Sequence, residues 1–296
     1  MNLLIVGCNG FIGSNAFKYF KKKNFNVVGC DIQKLNSETF LLQPDLSNLS
    51  LLFEAHQFDV CINASGSSTV SFSIQNEQQD YILNYKNVEI ILEWIKKNQP
   101  KCKLINLSSA AVYGNPSELP IKENDSTKPI SPYGKHKLLS EQLLKTFAVE
   151  YRMLTHSLRI FSVYGNGLKK QLFWDIYQKS KQAQLIELYG TGNETRDFIY
   201  IEDLMLAFEK IIFLGSFDGS AINVASGSEC TINIAAHTLI QNLNTDIKLK
   251  FSGVENNIDP KYWRADISLL RNMGFLPKVT LEEGLKKYAS WLKQSN

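Results

Sequence analysis

Apolar residues along the 296-residue chain gather by turns into short runs and into stretches of helical spacing. Runs at 2–6 and 25–31 are mostly apolar, and the more mixed stretches at 58–63, 102–107 and 154–161 also read as strands. Parallel strands buried on both faces have this signature. A shorter run at 39–42 predicts one more strand. Between the runs, residues 14–23, 49–56, 73–97 and 131–151 space their apolar side chains as helices do. In the third of these, Ile82, Val88, Ile91, Leu92 and Ile95 fall on related faces. Ser131 stands where it can cap the fourth, and Pro132 suits its first turn. Strand and helix in alternation predict an α/β, doubly wound parallel sheet. After Tyr164-Gly165-Asn166-Gly167 the alternation fails, and short strands, helices and loops mix to the end. The expected division is a first domain over 1–165, with returns near 198–226, and a smaller mixed α/β lobe over 166–296. No linker rich in Pro, Gly or Ser separates them, so a single body with a cleft is expected.

Composition changes this picture little. Hydrophobic residues make up 44% and charged residues 21%, as in ordinary globular proteins. A net charge of +3 is too mild to argue for nucleic acid as a partner. The five cysteines (Cys8, Cys30, Cys61, Cys102, Cys230) include no C-x-x-C pair. They read as reduced, buried thiols of a cytoplasmic protein. His56, His136, His156 and His237 lack metal-ligand spacing and read as surface or satisfied structural residues, with no metal. No secretory signal precedes the first strand and no apolar run reaches transmembrane length, so no membrane partner is expected.

Two stretches carry candidate chemistry. The first strand breaks at Gly7-Cys8-Asn9-Gly10, and Phe11-Ile12-Gly13 opens a helical stretch. In such a turn the first glycine permits the bend and the second lets backbone approach a pyrophosphate. The third lets helix pack on strand, and the helix N-terminus offers free N–H groups. Asp31 ends the next apolar run, about the ~20 residues downstream expected of a carboxylate that accepts a ribose hydroxyl. That order predicts a Rossmann-like dinucleotide site; a structural turn without ligand is the plainer alternative. The second stretch holds Tyr133 and Lys137, four apart on one helix and so on one face. A lysine ammonium and a positive nicotinamide ring would favour the phenolate, so Tyr133 could exchange a hydroxyl proton. Ser109, ending the preceding strand, could orient the substrate oxygen.

At these residues the sequence resembles the extended short-chain dehydrogenase/reductase family, in its NAD-dependent nucleotide-sugar epimerase, dehydratase and reductase group. The resemblance spans nearly the whole chain. It includes Ser108-Ser109-Ala110-Ala111-Val112-Tyr113-Gly114, Ser131-Pro132-Tyr133-Gly134-Lys135-His136-Lys137 and Leu158-Arg159-Ile160-Phe161-Ser162-Val163-Tyr164-Gly165. Tyr189-Gly190-Thr191-Gly192 and Arg196-Asp197-Phe198 resemble the segment whose arginine binds a nucleotide diphosphate, and Ala265-Asp266-Ile267-Ser268 the terminal signature. The resemblance implies catalysis by Ser109, Tyr133 and Lys137. It implies NAD, in preference to NADP, held by Gly7, Asn9, Gly10, Phe11, Ile12, Gly13, Asp31, Asp45, Leu46, Ala64, Ser65, Gly66, Asn84, Tyr133, Lys137 and Phe161. A nucleotide-diphosphate sugar would meet Ser67, Ser109, Ser162, Arg196 and Arg264. A homodimer through two paired helices is also implied.

Departures from the family pattern bear on the reaction. Val6 replaces a usual threonine, and Ser162 a frequent asparagine. Asn256 stands where galactose epimerases have a second diphosphate-binding arginine, with Arg264 nearby but displaced. Asn63-Ala64-Ser65-Gly66 is closer to the reductases. Dehydratases need acids in the serine loop, and Ser109-Ala110-Ala111 has none. The expectation is 4-epimerisation through a 4-keto intermediate, with 4-keto-sugar reduction as the alternative. A dinucleotide sensor without turnover would need Tyr133 or Lys137 to be missing.

Overall fold

The computed structural model describes residues 1–35, 37–254 and 260–294. Its first half alternates as the sequence suggests: β1 (Asn2–Val6), α1 (Phe11–Lys22), β2 (Asn26–Asp31), β3 (Thr39–Leu41), α2 (Ser50–Ala55), β4 (Val60–Asn63), α3 (Val70–Gln75), α4 (Glu77–Tyr81), a π-helical turn (Ile82–Lys86), α5 (Asn87–Asn98), β5 (Lys103–Ser109), α6 (Pro132–Tyr151) and β6 (Thr155–Ile160). The second half is mixed: β7 (Ser162–Tyr164), α7 (Gln171–Ser180), β8 (Leu185–Leu188), β9 (Thr195–Tyr200), α8 (Ile201–Leu214), β10 (Asp218–Val224), β11 (Glu229–Thr231), α9 (Ile232–Leu243), β12 (Lys248–Phe251), α10 (Ser268–Asn272) and α11 (Leu281–Gln294).

Seven parallel strands form the central sheet in the order β10-β6-β5-β4-β1-β2-β3. The order reverses between β1 and β4, and in open α/β sheets ligands bind beyond the strand ends at such a reversal. Side chains alternate across the strands. Leu3, Ile5, Val60 and Ile62 pack in one core with Phe20 of α1 and Phe208 of α8. Leu4, Val6, Cys61 and Leu104 pack in the other with Phe53 of α2, Ile91 of α5 and Leu144 of α6. Helices on both faces explain why these strands read as mostly apolar runs.

One expectation changes. Residues 73–97 are not one helix. Asn76, at φ −137° and ψ 56°, leaves helical geometry between α3 and α4, and the π-helical turn separates α4 from α5. Buried Asp80 and Asn84 bond across that turn, Asn84 Nδ2 donating to Asp80 Oδ1 at 2.9 Å, which ties it inward. Within the returns expected near 198–226, the strands divide between two sheets. β7 belongs to a three-stranded sheet with β9 and β11, whereas β10 returns to the central sheet beside β6. One apolar core runs from Leu3 of β1 to Leu292 of α11. All five cysteines are free thiols, four of them buried. Among the described residues, no helix is long and apolar enough to cross a membrane, and no group of His, Cys, Asp and Glu could hold a metal ion.

Candidate active site

The glycine turn after β1 is closed on every side. The Gly7 and Cys8 N–H groups both donate to the Cys30 carbonyl, at 2.8 and 3.2 Å. Gly7 has φ +80°, and a Cβ there would meet Ser65 N at 2.7 Å; a Cβ on Gly13 would meet Gly7 O at 2.1 Å. Only glycine lets α1 and the loop after β4 approach the turn this closely. No side chain caps α1 at Gly10, so the first N–H groups of the helix are left to an anion. Asp31 sits beside the turn, with Oδ2 accepting from Asn9 N at 3.0 Å and Oδ1 from Gln33 N at 3.2 Å. Across the loop, buried Asn84 presents an Oδ1 with no hydrogen-bond partner, and a Cβ on Gly66 would lie 2.5 Å from it. A cradle without side chains, a fixed carboxylate and an orphaned acceptor fit a dinucleotide. The exposed Asp45 accepts from Ser47 N at 3.0 Å, and Leu46, at φ +56°, packs into the core.

Beyond the turn opens a cavity of about 800 Å³. Ile12, Ala64, Ser65, Gly66 and Phe161 line its cofactor side; Ser67, Ser109, Tyr133, Lys137, Ser162 and Arg196 also face it. The sequence thus places its catalytic candidates on one wall. Ser131 accepts from Gly134 N at 3.2 Å and starts α6, which puts Tyr133 and Lys137 one turn apart. Lys137 is buried, its Nζ donating to Leu107 O at 2.7 Å and lying 5.9 Å from the centre of the Tyr133 ring. Burial lowers its pKa to about 8, with Asp80 and Glu141 opposing. Burial also wins at Tyr133, whose phenol is pushed up to about 12 although the Ser109 hydroxyl pulls it down. The phenol is therefore protonated at neutral pH until a further positive charge arrives beside it. Ser109 Oγ accepts from Ala111 N at 3.1 Å, which leaves its O–H free to donate into the cavity. Its neighbour Ser108 donates to Glu141 Oε1 at 2.5 Å, and Glu141 binds Arg159.

The far wall comes from the mixed half. Arg196 on β9 donates from Nη1 to Thr195 O at 2.8 Å, and its guanidinium lies 5.3 Å from the centre of the Trp263 ring. Glu194 faces the same space but caps its own turn, accepting from Thr191 N and Gly192 N at 2.9 and 2.8 Å. Asp197, next to Arg196 in the chain, is buried and accepts from Ser226, Gly227 and Ala265. Sequence reading missed Lys261, Tyr262 and Trp263, which line the cavity. Their only signal was an aromatic pair just before Arg264. Arg264 itself is not among the lining residues, and its Nε is buried without a partner. Asn256 lies outside the described residues. Lys170 Nζ donates to Ser68 Oγ across the cavity rim, and burial lowers its pKa.

The chain aligns with known proteins over its whole length. It is 26% identical over 316 residues to a putative UDP-glucose 4-epimerase of Methanocaldococcus jannaschii, covering 99% of each chain. It is 27% identical to UDP-glucuronate 4-epimerase 1 of Arabidopsis thaliana, covering 98% of this chain and 76% of that one. Its fold superposes with a TM-score of 0.89 on the UDP-glucuronic acid 4-epimerase from Bacillus cereus, solved with UDP-glucuronic acid and NAD, at 26% identity and full coverage of both chains. Residues 3–225 match the family profile, and with the glycine cradle and the Ser109, Tyr133 and Lys137 wall in place, the chain belongs to the NAD dependent epimerase/dehydratase family.

Proposed function

We propose that this protein inverts C4 of a nucleotide-diphosphate sugar, using NAD that ends each cycle as it began. The observation that carries the reading is one cavity joining Ser109, Tyr133 and Lys137 to Arg196, with no acid in the serine loop. The names of its relatives, UDP-sugar 4-epimerases, support the same reaction. When bound, NAD supplies acceptance and return of a hydride at the sugar carbon. Ser109 donates to the C4 oxygen and holds it against the phenol. Tyr133 takes the C4 hydroxyl proton as the carbonyl forms and returns it after the 4-keto sugar has turned over. Lys137, pinned by Leu107 O, keeps a positive charge one helical turn from that phenol. Arg196 grips the diphosphate, so the hexose can rotate while the nucleotide stays fixed. Incubation with UDP-glucose and with UDP-glucuronic acid tests the reading. It predicts that one of them yields its C4 epimer, and neither doing so at full cofactor loading contradicts it.

Cofactor choice follows from Asp31. Its carboxylate would accept from the adenosine ribose hydroxyls and repel a 2′-phosphate. NAD is expected to bind more tightly than NADP in calorimetry; equal or tighter NADP binding would show that Asp31 does not select. The reading also includes a homodimer. Ile82 on the π-helical turn and Leu139 on α6 are apolar and exposed, on the two helical segments that the family pairs. Light scattering at micromolar concentration should return twice the chain mass, and a monomer would rule this pairing out.

A further inference from the structure

Behind the catalytic wall lies a buried carboxylate that the mechanism above does not use. Asp80, on α4, has no solvent exposure. Its Oδ1 accepts from Ser67 Oγ at 2.5 Å and from Asn84 Nδ2 at 2.9 Å, and its Oδ2 meets His136 Nδ1 at 2.6 Å. Three segments therefore close on one side chain: the cavity loop after β4, the π-helical turn and the catalytic helix. Each partner is a consequential one. Ser67 lines the cavity. Asn84, by spending its amide on Asp80, is left with its carbonyl turned toward Gly66 and unpartnered. His136 is the residue immediately before Lys137, is itself buried, and is held edge-on by Tyr81 with ring centres 5.4 Å apart.

The charge of Asp80 also reaches the reacting groups. It opposes ionisation of Tyr133 and favours the ammonium form of Lys137. The other groups that face this cluster do less. From α6, Glu141 is matched by Arg159 at 2.7 Å. From α4 and the π-helical turn, Tyr81 packs on the imidazole and stacks on Tyr85, whose phenol burial keeps protonated. An unmatched carboxylate in this interior would be costly, and the imidazole N–H is the donor that offsets it.

We propose that Asp80, held by His136, is a positioning residue that sets the charge felt by Tyr133 and Lys137 and fixes the orientation of Asn84 and Ser67. This rests on the reading of Tyr133 and Lys137 as the proton-exchanging pair. That pair should give a bell-shaped dependence of kcat on pH, rising as the phenol becomes able to ionise and falling as the ammonium is lost. An anion raises the pKa of both neighbours, so removing it lowers both. Asp80→Asn should therefore carry the whole bell to lower pH. His136→Phe keeps a ring against Tyr81 but strips the donor; a carboxyl left unmatched in this interior takes up a proton, so its charge is lost and the bell again moves to lower pH.

The experiment is the kcat–pH profile of the parent and both variants, saturated with NAD and with whichever UDP-sugar the parent converts. Displacement to lower pH in both variants supports the assignment, and displacement to higher pH in either overturns it. A bell that stays in place in both variants overturns it, even if kcat falls, because a merely structural pair lowers rate or stability without moving the limbs. If one variant does not fold, the other decides by the same criterion; if neither folds, the pair is a folding element and the assignment falls. A parent with turnover but no bell would instead overturn the roles given to Tyr133 and Lys137.

Discussion

Tyr133→Phe should fold, bind NAD and bind nucleotide sugar, and turn over ~10²–10⁴-fold more slowly, the usual size of general acid–base help. The ring and its packing at the start of α6 survive; only the oxygen that exchanges the proton is lost. The geometry makes substitution by another group difficult. Ser109 already accepts from Ala111 N at 3.1 Å, and a serine hydroxyl is a far weaker base than a phenolate. Lys137 is committed to Leu107 O and lies over the ring face rather than at the phenol oxygen. Burial pushes the phenol up to about 12, so the pair depends on positive charge beside it, from Lys137 and from NAD when bound. Steady-state rates on the substrate that the parent converts check this. Near-full activity in the variant would leave only a resemblance of fold.

Arg196→Ala is expected to weaken nucleotide-sugar binding by about 10–100-fold, the equivalent of the ~1.5–3 kcal/mol typical of hydrogen bonds to charged groups. NAD binding should be unchanged, because the glycine turn lies at the other end of the cavity. The guanidinium is pre-ordered by Thr195 O at 2.8 Å and by the Trp263 ring, so little rotamer freedom is lost when a diphosphate binds. Separate calorimetric titrations with NAD and with UDP-sugar distinguish the two sites. Unchanged sugar affinity would move the anchor to another cation, with Lys261 on the wall and Arg264, Lys169 and Lys170 beyond it as the remaining choices.

The parts of this molecule that local chemistry dictates were legible in the sequence. Doubly buried strands read as apolar runs, and Ser131 with Pro132 marked the start of α6. Gly7, Gly10 and Gly13 announced a turn in which the first and third positions tolerate no side chain. What the sequence hid depends on contacts between distant segments. Residues 73–97 looked like one helix because the apolar period continues across Asn76 and the π-helical turn; the bonds to Asp80 that tie in that turn have no periodic signature. His136 read as an ordinary structural histidine because its partner lies 56 residues away. Trp263 and Lys261 reach the cavity only because a late loop folds back over β9, Thr195 N donating to Lys261 O at 2.9 Å. Burial at Tyr133 was equally hidden: desolvation raises the phenol pKa, and the positive charges of lysine and nicotinamide must act against it.

Epimerisation and 4-keto-sugar reduction draw on the same three side chains and differ in the fate of the cofactor. The decisive measurement follows cofactor absorbance and the configuration at C4 together, over many turnovers of a purified sample holding NAD. The account predicts that the two C4 epimers approach equilibrium while the cofactor spectrum stays flat. Reduced cofactor consumed mole for mole with a 4-keto sugar, and no exchange of epimers, would contradict it.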